Sequence, residues 1–346
     1  MMTRALGRTG PRVSAIGLGC MGMSDLYGTA PRAASAAAPP GVADRAESLA
    51  TIRAALDAGV TLLDTGDFYG MGHNELLIAE ALRDRPRASV VISVKFGALR
   101  APDGAWIGAD GRPAAVKNFL GYTLRRLGTD FIDIYRLTRK DPAVPIEDTV
   151  GAIGEMVTAG HVRHVGLSEL GADSIRRAHV AHPVSDLQIE YSLISRGIEA
   201  EILPACRELG IGITAYGVLS RGLIGGGWSK ERSVAKGDFR TWLPRFGGEN
   251  LERNLALVEA LRGIATAKGA TVAQVAIGWV LSRGEDIVPL VGSRTRAQLA
   301  DSLKALDLVL TKDDLAAIER AVPPEAAAGE RYDAHQMKIL DSEKKG

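Results

Sequence analysis

An aspartate, a tyrosine and a lysine stand at or just after the ends of two apolar runs of this sequence. Asp64 lies near the end of the first run, Tyr69 follows it, and Lys95 ends the second. A phenol has a pKa of about 10, but a nearby ammonium favours the phenolate, and a carboxylate keeps that ammonium charged. The three residue types predict a proton relay in which Lys95 lowers the pKa of Tyr69. The structural alternatives are a turn cap, a rim aromatic and an exposed strand-end charge.

The elements that must position these residues form a repeating pattern of strands and helices. Short β-branched runs recur along the chain, at Val13–Gly19, Thr61–Thr65, Val90–Lys95, Phe131–Leu137, Val165–Ser168, Leu187–Tyr191, Gly212–Tyr216 and Ile287–Val291. Amphipathic segments lie between them, at Glu47–Ala58, Asn74–Arg83, Ala114–Leu127, Ile146–Ala159 and Glu199–Leu209. Such alternation is typical of a parallel sheet. Eight repeats without a break in composition predict an α/β fold, a closed (β/α)8 TIM barrel forming one domain over residues 1–346, rather than an open doubly wound sheet.

In such a barrel, catalytic groups lie where the strands end. The polar residues at those positions are Asp64, Tyr69, Lys95, Thr138, Ser168, Glu169, Gln188, Tyr216 and Ser293. Before the first run, Arg4–Leu6 and the turn Gly7–Gly10 predict a small hairpin that plugs the other end of the barrel.

One motif argues for a different fold. Gly17, Gly19 and Gly22 form a GxGxxG, the fingerprint of a Rossmann dinucleotide site, after a segment that could be a strand. No helix with an apolar stripe follows, and the prolines of the next segment would break one. The acidic residue expected further on would be Asp44, beyond that segment. With 40 glycines in the chain a chance match is easy, so the other motifs must decide.

Composition excludes several classes of protein. The chain has 346 residues, 46% hydrophobic and 24% charged, with a formal net charge of +1, which gives no basic excess for nucleic acid. Cys20 and Cys206, the two cysteines, lack metal-ligand spacing and are expected to be inert core thiols, so no disulfide framework and no metal site is predicted. No stretch approaches 18 uncharged apolar residues, and the first residues lack an apolar leader pattern. We expect a cytoplasmic protein without a membrane partner.

Several motifs, in order, resemble those of the aldo-keto reductases over nearly the whole chain. They are LGRTGPRVSAIGLGCMGMS, GVTLLDTGDFYG, VVISVKFG, TLRRLGTDFIDIY, HVRHVGLSE, QIEYSLISR, GIGITAYGVLSRGLIGG and VPLVGSRTRAQLADSLKAL. In this resemblance GLGCMG is the end of the first barrel strand, and the Rossmann interpretation falls. The resemblance implies an NADP(H)-dependent oxidoreductase that acts on a small carbonyl or alcohol.

The resemblance also implies where the cofactor, NADPH or NADP+, lies across the barrel mouth. Met21 and Gly22 would pass near the nicotinamide; Ser168, Glu169 and Gln188 would bind its carboxamide, with Glu169 replacing the more usual Asn; and Tyr216 would stack on its face. Leu219, Ser220 and Gly222 would contact the pyrophosphate. Ser293, Arg294, Gln298, Asp301 and Ser302 would hold the adenosine half. A guanidinium at Arg294 suits a 2′-phosphate through charge-assisted bonds, the alternative being a surface charge at a helix N-terminus.

The sequence departs from the family at one catalytic position. The family has a histidine after the fourth strand, in a pattern close to QHRxDP, whereas this chain reads LTRKDP, with Thr138 at that position. Threonine donates one neutral hydrogen bond but does not titrate, so polarising power is lost. His73 is the nearest candidate substitute, and the alternative is a solvated loop histidine. A small residue here also occurs in relatives resembling pyridoxal reductases and pyridoxine dehydrogenases, which adds those substrates as candidates.

Two loops outside the repeats are expected at the mouth, and a tail follows the last repeat. Residues 29–42 are an Ala/Pro-rich inserted loop, 225–249 are a long mouth loop, and 330–346 are a C-terminal tail. Trp106, Trp228, Phe239, Trp242 and Phe246 are candidates for a wall of the site or for scattered surface anchoring.

The missing histidine leaves a second function open. A barrel that kept the cofactor site but lost efficient catalysis would be an NADPH-binding sensor or auxiliary protein. Retention of Asp64, Tyr69 and Lys95 argues for the enzyme, because a relay that no longer works is not expected to persist. The sequence leaves the oligomeric state, the physiological substrate and the reaction direction open.

Overall fold

The structure is a computed structural model that describes residues 1–24, 26–27, 44–232, 234 and 238–344. The inserted loop expected at residues 29–42 lies outside the described residues. The described strands are, in chain order, β1 (Thr3–Ala5), β2 (Arg12–Ser14), β3 (Gly17–Gly19), β4 (Leu62–Gly66), β5 (Val91–Phe96), β6 (Ala98–Arg100), β7 (Trp106–Ala109), β8 (Ile132–Leu137), β9 (Val162–Ser168), β10 (Val184–Glu190), β11 (Gly212–Tyr216) and β12 (Ile287–Gly292).

Eight of these strands close into a barrel. The strands β3, β4, β5, β8, β9, β10, β11 and β12 pair in that order, and β12 returns to β3. Every pairing is parallel, as short apolar strands separated by helices require. The predicted (β/α)8 barrel is confirmed, and each of the eight predicted runs overlaps one barrel strand.

The prediction for the run Val13–Gly19 was wrong in part. Val13 and Ser14 belong to β2, which pairs antiparallel with β1, and the barrel strand is only Gly17–Gly19. The Ser14 hydroxyl donates to the Ile16 carbonyl at 2.7 Å and so turns the chain between the two strands. A strand pattern in sequence cannot show such a corner, because both halves are equally apolar.

The β1–β2 hairpin closes the end of the barrel opposite to the mouth. Leu6 and Val13 pack against Leu62, Ile134 and Val288 in a small buried cluster. The hairpin turns at Gly7, where φ is +70° and a Cβ would lie 2.6 Å from the Gly210 carbonyl oxygen, so only glycine fits. The predicted plug is therefore present.

Helices surround the barrel and shield the outward faces of its strands. They are α1 (Arg45–Asp57), α2 (His73–Ala81), α3 (Pro113–Leu127), α4 (Ile146–Thr158), α5 (Ala172–Ala181), α6 (Ile202–Leu209), α7 (Gly248–Ala267), α8 (Val272–Ser282), α9 (Arg296–Leu303), α10 (Lys312–Ala321) and α11 (Ala334–Ile339). Gly128 and Gly210 are left-handed C-caps that end α3 and α6. In the described chain no single helix has the length and apolarity to cross a membrane. Helices α7 and α8 reach that length and apolarity only when taken together, as a pair bent by 87°.

The mouth of the barrel is built from the connections that follow the strands. A hairpin of β6 and β7 follows β5, and short 3-10 turns at Phe239–Trp242 and Pro244–Phe246 lie within the connection expected at 225–249. That connection ends at Gly248, where α7 begins. The C-terminal tail holds α11 and a turn at Asp341–Glu343. These segments decide what surrounds the strand ends.

Candidate active site

The polar residues predicted at the strand ends lie together at the carboxyl end of the barrel. Asp64 pairs in register with Ser93, and Gly66 with Lys95, so the first two strand ends are adjacent. Across the barrel, Ser168 pairs with Gln188, and Glu190 with Tyr216. The parallel register thus brings residues from distant parts of the chain to one edge.

Asp64 is the centre of a buried network of hydrogen bonds. Its Oδ1 accepts from the Lys95 ammonium. Its Oδ2 accepts from Ser93 Oγ at 3.0 Å, Arg136 Nη1 at 3.0 Å and Gln188 Nε2 at 2.7 Å. Two cations and two neutral donors therefore fix this carboxylate, which is 2% exposed.

Arg136 extends this network into the barrel and was missed from the sequence. Its second guanidinium nitrogen donates to Asp186, which also accepts from Thr214 Oγ1 at 2.9 Å. Burial lowers the pKa of Arg136 to about 10, although Asp64 acts in the opposite direction. A charged residue in a buried, largely apolar strand was the available signal, since such a group is kept only with partners.

Tyr69 lies over Lys95 at the end of β4. The Lys95 Nζ is 5.0 Å from the centroid of the Tyr69 ring. Gly70, Met71 and Gly72 follow with φ of +57°, +55° and +97°, and this left-handed turn carries the chain from β4 into α2. A residue with a Cβ rarely adopts positive φ, so the conformation of Met71 is strained. Backbone strain of this kind is often found at functional sites.

Burial sets the protonation state of the relay. It raises the pKa of the Tyr69 phenol well above its ordinary value, and the Asp64 charge adds to that rise. The strongest opposing charge is Arg139, whereas the sequence predicted Lys95 in this role. Burial lowers the pKa of Lys95, and Asp64 opposes that change. The phenol is therefore protonated at neutral pH and positioned as an acid.

Thr138 occupies the expected position, but its hydroxyl faces the protein. Thr138 Oγ1 donates to the Phe96 carbonyl at 2.7 Å, and the Thr138 amide donates to the same oxygen at 2.9 Å. A hydroxyl has one proton, so in this arrangement Thr138 has none to donate to a substrate. The sequence expectation of a substrate hydrogen bond from Thr138 is not met by this geometry.

Two nearby residues bear on the role of the missing histidine. Arg139 donates to the Thr138 carbonyl at 2.7 Å, and within the described chain no carboxylate lies within 4.0 Å of its guanidinium. The Nδ1 of His73 is 2.8 Å from the Ser24 hydroxyl, which fixes this ring against the first loop. Burial lowers the pKa of His73. Of the two, Arg139 is therefore the better candidate to act as a cation near Tyr69 in place of the missing histidine. Sequence reasoning did not single it out.

Ser168, Glu169, Gln188 and Tyr216 lie side by side, and we call these four residues the mouth platform. Both oxygens of Glu169 are engaged within the protein, because Oε1 accepts from Tyr216 at 2.7 Å and Oε2 accepts from Ser342 at 2.8 Å, besides a buried ion pair with Arg331. The resemblance implied that Glu169 binds the carboxamide of the cofactor. This is wrong for the geometry seen here, because Glu169 is not free to do so. Gln188 donates to Asp64 and keeps its amide oxygen for another partner.

The turn after β11 lies beside a buried indole donor, while the amides of Ser220 and Gly222 already donate to the carbonyls of Gly217 and Leu219. Ser220, Arg221 and Gly222 have φ of +44°, +58° and +94°, and Leu219 precedes them. The buried Nε1 of Trp228 has no partner in the part of the chain that the structure describes. A Cβ on Gly222 would lie 3.4 Å from that nitrogen. An unpaired indole N–H beside a tight turn fits a ligand with acceptor oxygens.

The first and last loops of the barrel meet at a second such place. A Cβ on Gly22, which follows Met21, would lie 3.3 Å from the Cγ of Arg294. Ser293 Oγ is buried without a partner among the described residues, while Gln298 accepts from the Arg294 amide at 2.9 Å. Ser293, Arg294 and Gln298 fit the adenosine half of a dinucleotide, whereas Gly22, which the resemblance places near the nicotinamide, lies against Arg294.

Two other predicted residues in this region bond within the protein. Asp301 accepts from Gln274 Nε2 at 2.7 Å and from Thr271 Oγ1 at 3.2 Å, so both of its carboxylate oxygens are engaged. Ser302 is buried on α9. Their sequence assignment to the cofactor stays a prediction.

Aromatic rings line the mouth next to Tyr69. The ring of Phe68 lies 4.7 Å from that of Tyr69 and 5.3 Å from that of Trp106, which is itself 47% exposed, so Trp106 stays a candidate for the wall of the site. Trp242, by contrast, is 64% exposed and fits the surface alternative. Tyr332 of the tail, which the sequence did not indicate, completes the wall, since its hydroxyl is 2.9 Å from that of Tyr216.

No group of three or more His, Cys, Asp or Glu side chains that could hold a metal ion occurs among the residues that the structure describes. Cys20 and Cys206 are both free and buried, as expected for core thiols.

Comparison with known proteins agrees with this geometry. The family model of the aldo/keto reductase family matches residues 15–323. The chain is 40% identical over 329 residues to a probable aldo-keto reductase 1 from Glycine max, covering 94% of this chain and 90% of that protein. It is 26% identical to a glycerol dehydrogenase from Gluconobacter oxydans, with a TM-score of 0.81 over 92% of this chain and 94% of that one.

A second solved structure has the same fold. An aldo-keto reductase from Bacillus halodurans is 24% identical, with a TM-score of 0.75 over 97% of this chain and 99% of that chain. The family match covers most of the chain and contains the complete barrel. The chain belongs to the aldo/keto reductase family, whose members are nicotinamide-dependent oxidoreductases of small carbonyl compounds.

Proposed function

We propose that the protein is an NADP(H)-dependent oxidoreductase that interconverts a small aldehyde or ketone and its alcohol. The observation that carries this proposal is the buried cluster of Asp64, Lys95 and Tyr69 at the barrel mouth. A protonated phenol above a lysine–carboxylate pair is suited to give a proton to a carbonyl oxygen.

In carbonyl reduction, Tyr69 donates its phenolic proton to the substrate oxygen. When bound, the reduced nicotinamide supplies the hydride. Lys95 and Arg139 stabilise the negative charge that develops on the phenolic oxygen, and Asp64 holds Lys95 charged and in place. In alcohol oxidation the same residues act in reverse, with the phenolate of Tyr69 as the base.

NADP(H) is supported by the residues around Arg294. The buried, unpartnered Ser293 hydroxyl and the Arg294 guanidinium are suited to a 2′-phosphate. Met21, Gly22, Leu219, Ser220 and Gly222 would lie along the cofactor, and Ser168, Gln188 and Tyr216 at its nicotinamide end. Gln298, Asp301 and Ser302 complete the assignment that the family resemblance implies.

Arg294→Met is expected to weaken NADPH binding about 10- to 100-fold, because a charge-assisted bond contributes about 1.5–3 kcal/mol. Affinity for NADH should change little, since NADH lacks the 2′-phosphate. The measurement is titration of each cofactor by fluorescence. Arg296→Met is the matched control, because Arg296 pairs with Glu47 at the surface. Equal losses for NADH and NADPH would contradict the assignment.

Thr138→Ala is expected to lower kcat/KM only modestly. The lost bond is neutral and contributes about 0.5–1.5 kcal/mol, a factor of roughly 2 to 12. The Phe96 carbonyl also keeps its bond from the Thr138 amide. Steady-state kinetics with one good substrate measures the effect, and Thr138→Val serves as the isosteric control. A loss as large as that of Tyr69→Phe would make Thr138 a principal catalytic group.

The substrate site is aromatic and includes Arg139, which has no carboxylate within 4.0 Å among the residues that the structure describes. Phe68, Trp106 and Tyr332 supply the apolar faces, and Arg139 supplies a donor. Aromatic aldehydes, pyridoxal and diketones fit this lining, and the similarity to a glycerol dehydrogenase adds small polyols for the reverse reaction. The free, buried cysteines support action in the cytoplasm, where thiols stay reduced.

The deciding experiment is NADPH titration followed by turnover. Purified protein should bind NADPH with quenching of its intrinsic fluorescence, and should oxidise NADPH with at least one of those carbonyls. Tight binding without turnover of any carbonyl or alcohol would overturn the enzyme and favour an NADPH-binding sensor or auxiliary protein. Absence of binding would overturn both.

A further inference from the structure

The C-terminal tail returns to the barrel mouth and contacts the mouth platform from outside. Arg331, 8% exposed, has Nη1 at 3.1 Å from Glu169 Oε1, and its Nη2 donates to Oε2. The same Nη1 lies 3.5 Å from the Tyr216 hydroxyl. This fork-to-fork pairing of a guanidinium with a carboxylate defines the orientation of both groups.

The Glu169 side chain has no accessible surface and a complete set of partners. Its Oε1 also accepts from the Glu190 backbone amide at 3.1 Å. Its backbone φ is +55°, a left-handed conformation that L-residues seldom adopt. A carboxylate in a fixed position also fixes the groups that donate hydrogen bonds to it. One of these groups is the Tyr216 hydroxyl at the edge of the cofactor site.

We infer that Arg331 is a positioning residue of the cofactor site, which fixes Glu169 and the Tyr216 ring through the ion pair that joins the tail to the barrel. The inference rests on the proposed function, since it takes the ring of Tyr216 as the surface on which the nicotinamide lies. Arg331 itself acts only through Glu169 and Tyr216.

Several charged or titratable groups surround the pair of Glu169 and Arg331. They are Glu190 on β10, Tyr216 on β11, Arg139 after β8, and Tyr332 and Glu343 on the tail, with Arg221 and Arg245 paired to Glu190 behind them. Burial acts to raise the pKa of Glu169, but Arg331 and, to a smaller extent, Arg139 and the Tyr216 hydroxyl hold it at about 2. Without Arg331 the carboxylate stays buried and loses its main counter-charge. Its pKa then rises, so it takes up a proton at a pH at which the wild-type carboxylate is ionised.

The test compares Arg331→Met with the double variant Glu169→Gln/Arg331→Met. NADPH affinity is measured by fluorescence across about pH 5 to 8, and urea unfolding gives the folded fraction of each protein. At neutral pH, Arg331→Met is expected to weaken NADPH binding about tenfold or more, and to add a pH dependence beyond the one that titration of the 2′-phosphate gives the wild type. The double variant should lose that pH dependence and recover part of the affinity, because neither buried charge remains.

Two further variants keep the test decisive. Arg331→Lys retains the charge without the fork and should show intermediate affinity. Arg177→Met removes an exposed arginine paired with Glu147 and should bind NADPH like the wild type. If Arg331→Met does not fold, the double variant and Arg331→Lys still report on the pair.

Two sets of results would overturn the inference. In the first, Arg331→Met and Arg331→Lys fold and bind NADPH with wild-type affinity. In the second, the single and double variants show identical pH dependence of NADPH binding. Failure of the wild type itself to bind NADPH overturns the proposed function and this inference with it, and is a different result.

Discussion

Tyr69→Phe should lose about 10²- to 10⁴-fold in kcat for carbonyl reduction and keep nearly unchanged affinity for NADPH. The hydroxyl is expected to act chiefly in the transition state, where it gives its proton to the substrate oxygen. The phenyl ring that remains still packs against Phe68, so the wall of the site is preserved. Stopped-flow or steady-state kinetics with one good carbonyl gives kcat, and fluorescence titration gives the NADPH affinity.

Tyr122→Phe is the matched control, because Tyr122 is 59% exposed on α3. The wild-type pH profile gives an independent check. Since the pKa of Tyr69 is raised well above its ordinary value, the phenol stays protonated from about pH 6 to 9, and reduction should be flat over that range. Oxidation requires the phenolate and should rise with pH. A reductive rate in Tyr69→Phe close to that of the wild type would place the proton donor elsewhere.

Arg136→Met should destabilise the folded protein by about 3–5 kcal/mol, the typical cost of removing one partner from a buried ion pair. Arg136 is fully buried and lies between Asp64 and Asp186. Its loss leaves the Asp186 carboxylate inside the barrel with, among the residues that the structure describes, only the Thr214 hydroxyl as a side-chain donor. Urea denaturation followed by circular dichroism measures the free energy of unfolding.

The comparison for Arg136→Met is Arg176→Met, which removes an exposed arginine paired with Glu208 and should have a much smaller effect. The double variant Asp186→Asn/Arg136→Met should recover stability, because it removes a negative charge that the single variant leaves unpaired. Equal unfolding free energies for Arg136→Met and the wild type would show that the barrel interior tolerates both carboxylates without a cation.

The sequence predicted those parts of the site that depend on local pattern. Asp64 and Lys95 could be found because a polar residue at the end of an apolar strand is conspicuous, and the parallel register then brings strand ends together. The β6–β7 hairpin was missed although Pro102, Asp103 and Gly104 are turn residues. Its strands have few residues and an exposed face, so they lack the apolar run that marked the barrel strands.

The remainder depends on contacts between distant residues. Nothing near Glu169 in sequence indicates that Arg331 will reach it, since 162 positions separate the pair. Likewise, the LTRKDP motif shows which residue replaces histidine, but the direction of the Thr138 hydroxyl depends on the Phe96 carbonyl of the neighbouring strand. Positive φ at Glu169 is a further property that no residue pattern suggests, because glutamate rarely adopts it.

The seam of the barrel has a consequence for the order in which the protein can be assembled. Gly17 on β3 pairs with Leu290 on β12, and Arg4 of the hairpin bonds the carbonyl oxygens of Gly284 and Leu281 at 2.7 and 2.8 Å. The first barrel strand made by the ribosome therefore completes its pairing only with the last one, and the nascent chain carries an open sheet edge until β12 emerges. Such non-local closure is slow, and an exposed edge invites pairing with another chain. The short β3, with only three residues, keeps that exposed edge small during synthesis.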